Sequence, residues 1–257
     1  VKNSPEVLVV GGTGKTGRRI NEKLINKGIA TRIASRSSTI PFHWEDSSNW
    51  DQVLQGITTT YISYSPDLAV PGATLAIEKF IETAIRQKVK RLVLLTGRGE
   101  EEAQRCEQLL QRDEYEWTII RCSWFAQNFS EGEFLEMVIN GDIYLPAGKV
   151  KEPFIDVEDI VDVAIATITE DNHSGEIYEV TGPELISFPQ AASIMSQATG
   201  RNINYHQIPT EVFTSELKHA GLPGEMVWLL KYLFTSVLDG RNAYISDGVQ
   251  RALGREP

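Results

Sequence analysis

The sequence has few cysteines, no long apolar run and little positive charge. Its 257 residues include two cysteines, Cys106 and Cys122, too few to hold a chain of this length together by disulfides, which favours a reducing, cytoplasmic location. No apolar run is long enough to cross a bilayer and the first residues show no signal-like apolar segment, so we expect no membrane association. The net charge of −10 argues against nucleic acid as the main partner, because binding nucleic acid requires a basic face.

The charge that is present is unevenly distributed. Residues 1–40 contain eight basic and two acidic side chains, a net of +6, which leaves −16 on the other 217 residues. This asymmetry indicates an anionic ligand near the N-terminal end. The four histidines are scattered, with no pair four residues apart, so the sequence predicts no metal site.

Short apolar runs alternate with helix-like segments through the first half, as in βαβ units with a parallel sheet. Strands are predicted at residues 7–10, 31–34, 41–44, 60–64, 92–95 and 117–121. After about residue 122 this alternation stops. We therefore predict an α/β fold: a Rossmann-type, doubly wound parallel sheet over residues 1–125 and a smaller, helix-rich C-terminal substrate part over residues 126–257. The second part is expected to form one wall of a cleft at the carboxyl edge of the sheet.

The strongest motif is a glycine-rich turn between the first strand and the first helix. Gly11, Gly14 and Gly17 have the spacing Gly-x-x-Gly-x-x-Gly. Such glycines serve a tight turn, close approach to a pyrophosphate, and close packing of helix on strand, respectively. The helix N-terminus then offers N–H groups to phosphates. The sequence therefore predicts a dinucleotide site that includes Thr13, Lys15 and Thr16.

The end of the second strand indicates which dinucleotide binds. NAD sites usually have an acidic residue there for the ribose 2′-hydroxyl, but residues 23–44 contain neither Asp nor Glu. Arg36, flanked by Ser35 and Ser37, is suited to a 2′-phosphate, so NADP(H) is favoured over NAD(H); the alternative is an ordinary surface arginine. Asp46 is a candidate partner of the adenine amino group or, equally, the N-cap of a helix near residue 49.

Several segments together resemble the NmrA-like family of atypical short-chain dehydrogenases. They are Gly11 to Gly17, the strand Trp117 to Arg121 followed by Phe125 and Asn128, Phe154 to Ile160, and Tyr178 to Glu184. The resemblance covers nearly the whole chain, and it extends to the ergot-alkaloid (festuclavine) dehydrogenase branch. It implies further cofactor contacts at the ends of later strands: Tyr64, Ser65, Pro66, Thr96, Gly97 and Cys122.

The usual catalytic pattern of short-chain dehydrogenases, Ser followed by Tyr-x-x-x-Lys, does not carry over. Residues 97–114 contain neither Tyr nor Lys, and the catalytic residues are unknown, with Tyr64 and Thr96 as candidates. Glu100 to Glu102 are interpreted as a solvated first helical turn. A missing proton donor restricts the acceptor: an iminium ion needs no acid, and a quinone or conjugated enal can take its proton from water.

Candidates for the substrate pocket are mostly aromatic. Trp124 and Phe125 are suited to enclosing a flat molecule or, equally, to an ordinary core, and Asn128 and Tyr178 complete the set. The sequence thus supports an NADPH-dependent reductase of a small conjugated or iminium-type substrate. The alternative is a non-catalytic NADP(H)-sensing regulator with a protein partner.

Overall fold

The computed structural model describes residues 6–257; Lys2, counted in the basic N-terminal segment, lies outside them. The chain forms two compact units. Of the described residues, the first comprises those up to Cys122, Val157–Val180 and Asp247–Pro257, and the second comprises Ser123–Asp156 and Thr181–Ser246. The chain thus enters the second unit at Ser123 and returns to the first unit at Val157 and again at Asp247. The division into residues 1–125 and 126–257 stays a prediction.

Strands and helices alternate strictly only in the first half. The strands are β1 (Val7–Val10), β2 (Thr31–Ala34), β3 (Thr59–Ile62), β4 (Arg91–Gly97), β5 (Glu116–Cys122), β6 (Asp142–Leu145), β7 (Lys151–Glu152), β8 (Glu176–Val180), β9 (Ile186–Ser187) and β10 (Asn204–Gln207). The helices are α1 (Lys15–Asn26), α2 (Trp50–Leu54), α3 (Ala73–Arg86), α4 (Glu101–Leu110), α5 (Asn128–Glu131), α6 (Leu135–Asn140), α7 (Val157–Thr169), α8 (Phe188–Thr199), α9 (Thr210–His219), α10 (Gly224–Tyr232) and α11 (Gly248–Leu253). A π-helical turn, Leu233–Val237, continues α10.

The first unit is built on a six-stranded, wholly parallel sheet in the order β2-β1-β3-β4-β5-β8. Leu8, Val9 and Val10 of β1 are fully buried, as are Leu92 to Leu94 of β4, because helices cover both faces of the sheet. Helix α1 packs on α7, and α3 packs on α4. The predicted Rossmann-type, doubly wound architecture is confirmed, and the carboxyl ends of all six strands lie along one edge.

The strand predicted at residues 41–44 is wrong. Only an isolated bridge between His43 and Asp46 forms there. Phe42 and Trp44 instead pack with Trp50, at ring-centroid distances of 5.6 and 5.9 Å. Burial of these large rings in an aromatic cluster replaces pairing with a neighbouring strand, so the sheet ends at β2.

The second unit has its own aromatic core and two small two-stranded sheets, β10-β6 and β7-β9. Phe188 is 1% exposed and packs on Phe154 and Phe234 at centroid distances of 5.2 and 5.7 Å. Helix α8 begins with a capping box, in which Ser187 and Gln190 bond each other's backbone N–H groups. This pattern explains why α8 starts at Phe188.

Three further properties of the described residues concern membrane-spanning helices, metal sites and cysteines. Over residues 6–257, no helix combines the length and apolar character needed to cross a membrane. Within the same range, no group of three His, Cys, Asp or Glu side chains is arranged to bind a metal. Cys106 and Cys122 are free thiols and both are buried.

Candidate dinucleotide site

The glycine-rich turn joins β1 to α1 at the carboxyl edge of the sheet. Gly11 has a φ of +74°, in the left-handed region that glycine adopts readily, and its N–H donates to the carbonyl of Ala34 at 3.0 Å. Its carbonyl accepts the N–H of Gly14 at 2.9 Å, which closes the turn. Gly14 is the N-cap of α1 and provides no side-chain cap. The N–H groups of the first helical turn are therefore placed to bind a phosphate.

The glycines of this turn lack a side chain for different reasons. A Cβ on Gly17 would lie 2.3 Å from the carbonyl oxygen of Gly11, and a Cβ on Gly12 would lie 2.5 Å from the side chain of Ile33. At Gly14 the nearest atom is 3.3 Å away, and the φ of −76° is open to any residue. Packing therefore requires glycine at 12 and 17, whereas the exposed position 14 has room for a side chain, and the contact of its backbone with a pyrophosphate stays a prediction. The spacing rule alone does not find Gly12.

Thr16 uses its side chain inside the unit. Its Oγ1 accepts a hydrogen bond from the Tyr61 hydroxyl at 2.9 Å, and both residues are buried. Burial raises the pKa of Tyr61, which keeps the phenol protonated as a donor. The Thr16 hydroxyl thus has a buried partner within the unit, and the backbone N–H of Thr16 belongs to the first helical turn. Thr13 is exposed and Lys15 is half-buried at the same turn.

Arg36 lies just beyond the end of β2, exposed to solvent. It makes no hydrogen bond or ion pair with any other residue in the range 6–257, although acidic groups are abundant in the chain. The Ser35 and Ser37 hydroxyls lie beside it, 3.4 Å apart. An uncompensated guanidinium next to two hydroxyls at this edge is suited to an anionic group.

Other basic residues of the N-terminal segment are used inside the first unit. Arg19 pairs with Glu158 at 2.8 Å, and Lys23 pairs with Glu158 and Asp162 at 2.9 and 2.8 Å. Arg32 donates to backbone carbonyls at the end of α2. The positive charge available to a ligand is therefore smaller than the net +6 counted over residues 1–40. Unlike Arg19, Lys23 and Arg32, Arg36 has no such partner.

Four more candidate cofactor contacts lie in the loops after residue 44. Asp46 Oδ1 accepts the N–H of Ser48 at 2.9 Å, which lowers the pKa of this carboxyl. Because Asn49 is the N-cap of α2, Asp46 does not cap that helix, and its contact with adenine stays a prediction. Tyr64 packs on Trp44 with a centroid distance of 4.7 Å. Ser65 and Pro66, joined by a cis peptide bond, are exposed after β3.

Thr96, at the end of β4, belongs to a buried network of hydrogen bonds and ion pairs. Its hydroxyl donates to Glu107 Oε1 at 2.7 Å, and Arg121 binds Glu107 Oε2 at 2.5 Å. Arg121 also reaches Glu179 at 3.3 Å, and Glu179 pairs with Arg98 at 2.9 Å. The network stabilises the ends of β4, β5 and β8, and the Thr96 proton is directed at Glu107.

The interpretation of residues 100–102 as a solvated turn is wrong for Glu100. Its side chain is 6% exposed, and its carboxyl lies over Gly97, where a Cβ would be 2.0 Å from Glu100 Oε1. Cys122, at the end of β5, is also buried; burial raises the pKa of its thiol, which therefore stays neutral. A run of three glutamates gives no signal that the first one is buried.

The predicted pocket residues belong to different units. In the second unit, Trp124 packs on Phe234 at a centroid distance of 5.1 Å, as a partner of the aromatic core, and Phe125 forms a bridge with Ile155. Asn128 is half-buried at the start of α5.

Tyr178 belongs to β8 in the first unit and is 4% exposed. Its hydroxyl is 2.7 Å from His173 Nδ1, and the Arg251 guanidinium lies 5.2 Å from the ring centroid. The hydroxyl of Tyr178 thus already has a partner, and its contact with a substrate stays a prediction.

The parallel sheet, the glycine turn and the helix N-terminus together define a dinucleotide-binding site of the Rossmann type. A sequence profile of the NmrA-like family matches residues 101–251, more than half of the chain, and the chain belongs to that family.

The family assignment is supported by a relative that matches along almost the whole chain. Festuclavine dehydrogenase of Aspergillus fumigatus is 28% identical over 276 residues, covering 98% of this chain and 93% of that protein. This similarity supports the ergot-alkaloid dehydrogenase branch as well as the family. With other dehydrogenases among its relatives, the chain is an oxidoreductase of the NmrA-like family.

Solved structures share the fold. The NADPH-dependent quinone oxidoreductase of Escherichia coli, complexed with NADPH, superposes with a TM-score of 0.80 at 19% identity, covering 97% of this chain and 95% of that one. The triphenylmethane reductase of Citrobacter sp., complexed with NADP(H), superposes with a TM-score of 0.77 at 15% identity, covering 98% and 96%. At these identities the likeness establishes the architecture alone.

Proposed function

We propose that the protein is an NADPH-dependent reductase of small conjugated or iminium-type organic molecules. The observation that carries the cofactor preference is Arg36, an exposed arginine that has no acidic partner in the described chain and follows the strand that determines nucleotide choice. Pairing with a ribose 2′-phosphate gives this charge a partner. No carboxylate is present between residues 23 and 44 to bind a 2′-hydroxyl instead.

The residues of the glycine turn fit the rest of the dinucleotide. Gly14 leaves its backbone accessible, and the first turn of α1 offers N–H groups and a partial positive charge to the pyrophosphate. The strand ends at Tyr64, Gly97 and Cys122 follow along the same edge toward β5. When bound, the nicotinamide ring supplies a hydride to the acceptor, while the protein orients both and excludes water.

The state of the polar side chains at this edge supports the choice of acceptor. Thr96 donates to Glu107, and the Cys122 thiol is buried and neutral, so neither is arranged to protonate an alkoxide. Simple ketones, whose reduction gains most from an acid, fit poorly, whereas iminium ions and extended conjugated acceptors fit well. Two proteins of the same fold act, as their names state, on a quinone and on triphenylmethane compounds, which are conjugated molecules.

The buried free cysteines also support a reducing, cytoplasmic location for this small-molecule enzyme.

The experiment is a panel assay with reduced cofactor. Purified protein is incubated with NADPH and quinones, conjugated enals, cyclic iminium salts and simple ketones, and the loss of reduced-cofactor absorbance is followed. We expect turnover with the first three classes and at least about 100-fold slower reduction of simple ketones. Tight NADPH binding without turnover on any class contradicts the reductase function and favours an NADP(H)-sensing regulator with a protein partner.

A further inference from the structure

One strand of the second unit has an edge that no other strand covers. Among the described residues, β10 pairs with β6 alone, and the two strands are parallel. The N–H groups of Asn204 and Ile208 donate to backbone carbonyls of the β6 segment at 2.8 and 3.4 Å. Because the backbone groups of successive strand residues alternate in direction, those of Tyr205 and Gln207 face away from β6.

The outward backbone groups of β10 are available for pairing. Within residues 6–257, the N–H groups of Tyr205 and Gln207 donate to no other residue. The two side chains are bonded elsewhere in the unit: the Tyr205 hydroxyl donates to the carbonyl of Leu145 at 2.9 Å, and Gln207 Oε1 accepts the N–H of Gly148 at 2.7 Å. An unpaired strand edge of this kind is a template for another extended chain.

Helix α8 lies beside this edge and is bonded to it at one point. Ile203 immediately precedes β10, and its backbone groups alternate in the same sense as those of Tyr205. The Ser196 hydroxyl of α8 accepts the N–H of Ile203 at 2.9 Å and lies 3.0 Å from its carbonyl oxygen. An open groove of about 610 Å³ lies between α8 and residues 202–206. The edge is therefore closed at Ile203 and open at Tyr205.

The groove has a polar lining without a lysine, arginine, aspartate or glutamate. Its one titratable group of near-neutral range, His206, has Nε2 at 2.7 Å from Asp142 Oδ1. The other polar side chains are hydroxyls and amides, among them Ser193, Gln197, Asn202 and Asn204. A charged side chain that entered this groove would lose hydration without gaining an opposite charge. The lining therefore favours an uncharged occupant.

We propose that this groove binds an extended, uncharged peptide segment of another protein, which adds to the free edge of β10 as a third strand beside α8. The peptide backbone pairs with the N–H and carbonyl groups of Tyr205 and Gln207, and its side chains contact the polar lining. Backbone pairing supplies affinity in this mode of recognition, and the adjoining groove supplies specificity. A second copy of the chain fits this edge less well, because it would bring its own α8 against the one bonded at Ile203.

The first test measures hydrogen exchange of single backbone amides by NMR. In the free protein, the amides of Tyr205 and Gln207 should exchange at least about tenfold faster than those of Asn204 and His206. The probe is a library of end-blocked hexapeptides composed of Ser, Thr, Asn and Val, and the tightest binder is taken forward. This peptide should slow exchange at Tyr205 and Gln207. Protection of these two amides in the free protein overturns the proposal, as does a library without a binder at about 1 mM.

The second test blocks the groove with a matched pair of variants. Ser193→Trp places a large side chain in the groove and should weaken binding of the selected peptide at least about tenfold. Ala198→Trp adds the same side chain to another exposed position of α8, outside the groove lining, and should bind like the wild type. Far-ultraviolet circular dichroism and the NADPH dissociation constant verify that both variants remain folded.

The remaining outcomes distinguish the possible occupants. Unchanged peptide binding in Ser193→Trp overturns the proposed groove. A concentration-dependent dimer in sedimentation experiments that Ser193→Trp abolishes would assign the edge to a second copy, and it overturns the peptide proposal as well. The result does not depend on the reductase function, because none of these residues belongs to the candidate dinucleotide site.

Discussion

The hydroxyl of Thr96 donates a 2.7 Å hydrogen bond to Oε1 of Glu107, a carboxylate that also binds Arg121. Thr96 is the candidate for the serine of ordinary short-chain dehydrogenases, and Glu107 lies in α4, within the segment that lacks their tyrosine and lysine. The structure therefore contains an internal ion pair where the resemblance leads one to look for catalytic groups.

Thr96→Val should lower the free energy of unfolding by about 2 kcal/mol, because it removes a buried hydrogen bond to a charged group. Urea unfolding followed by tryptophan fluorescence measures the loss. Thr96→Ser keeps the hydroxyl and should recover most of it. A loss of stability in Thr96→Ser without a loss in Thr96→Val would show that the methyl group, rather than the hydrogen bond, matters at this position.

The sheet and the glycine turn could be predicted because they depend on local signals. Continuous apolar runs produce strands buried on both faces, and glycines at a strand–helix junction have a known geometric purpose. The sequence pattern at residues 41–44 was as strand-like as the others. It failed because Phe42 and Trp44 pack with Trp50 and also with Phe80, which is far along the chain.

The site could be predicted only in part. The role of Arg36 could be predicted from the sequence, because no Asp or Glu lies near the end of the second strand. The burial of Glu100 is not visible, since Glu100 opens a run of glutamates that is typical of an exposed turn. Whether such a residue is buried depends on the missing side chain at Gly97, which only the folded structure shows.

Substitutions in the glycine turn distinguish effects on stability from effects on cofactor binding. Gly14→Ala should change the free energy of unfolding by less than about 1 kcal/mol, because the new Cβ finds its nearest atom at 3.3 Å, yet it should weaken NADPH binding at least about tenfold. Gly17→Ala should cost about 3 kcal/mol of stability, because its Cβ would lie 2.3 Å from a backbone oxygen. Fluorescence titration with NADPH measures the dissociation constant, and urea unfolding measures the free energy of unfolding. Unchanged NADPH binding in Gly14→Ala would contradict the pyrophosphate site.

Arg36→Ala should raise the NADPH dissociation constant by about 10- to 100-fold and leave NADH binding within about threefold, because only NADPH carries the 2′-phosphate. Arg36→Lys should fall between the wild type and the alanine variant, since a lysine keeps the charge but loses the planar fork of donors. Lys27→Ala removes an equal charge from the far end of α1 and should affect neither cofactor. Equal weakening of both cofactors by Arg36→Ala would contradict a contact with the 2′-phosphate.

Stability should depend on pH through Glu100. The raised pKa of this carboxyl means that the folded protein binds the proton more tightly than the unfolded chain, whose glutamate has an ordinary pKa of 4.5. The resulting stabilisation is fully present below about pH 4.5 and is lost as pH rises through the folded-state pKa. Glu100→Gln has no carboxyl to ionise there, so its free energy of unfolding should increase relative to wild type across this window.

Urea unfolding of wild type, Glu100→Gln and Glu101→Gln at intervals from about pH 4 to about pH 8 measures this difference. The Glu101→Gln protein should follow the wild type at nearly constant offset, because Glu101 is exposed. A constant offset for Glu100→Gln as well would mean that residue 100 titrates like a solvated glutamate in the folded protein.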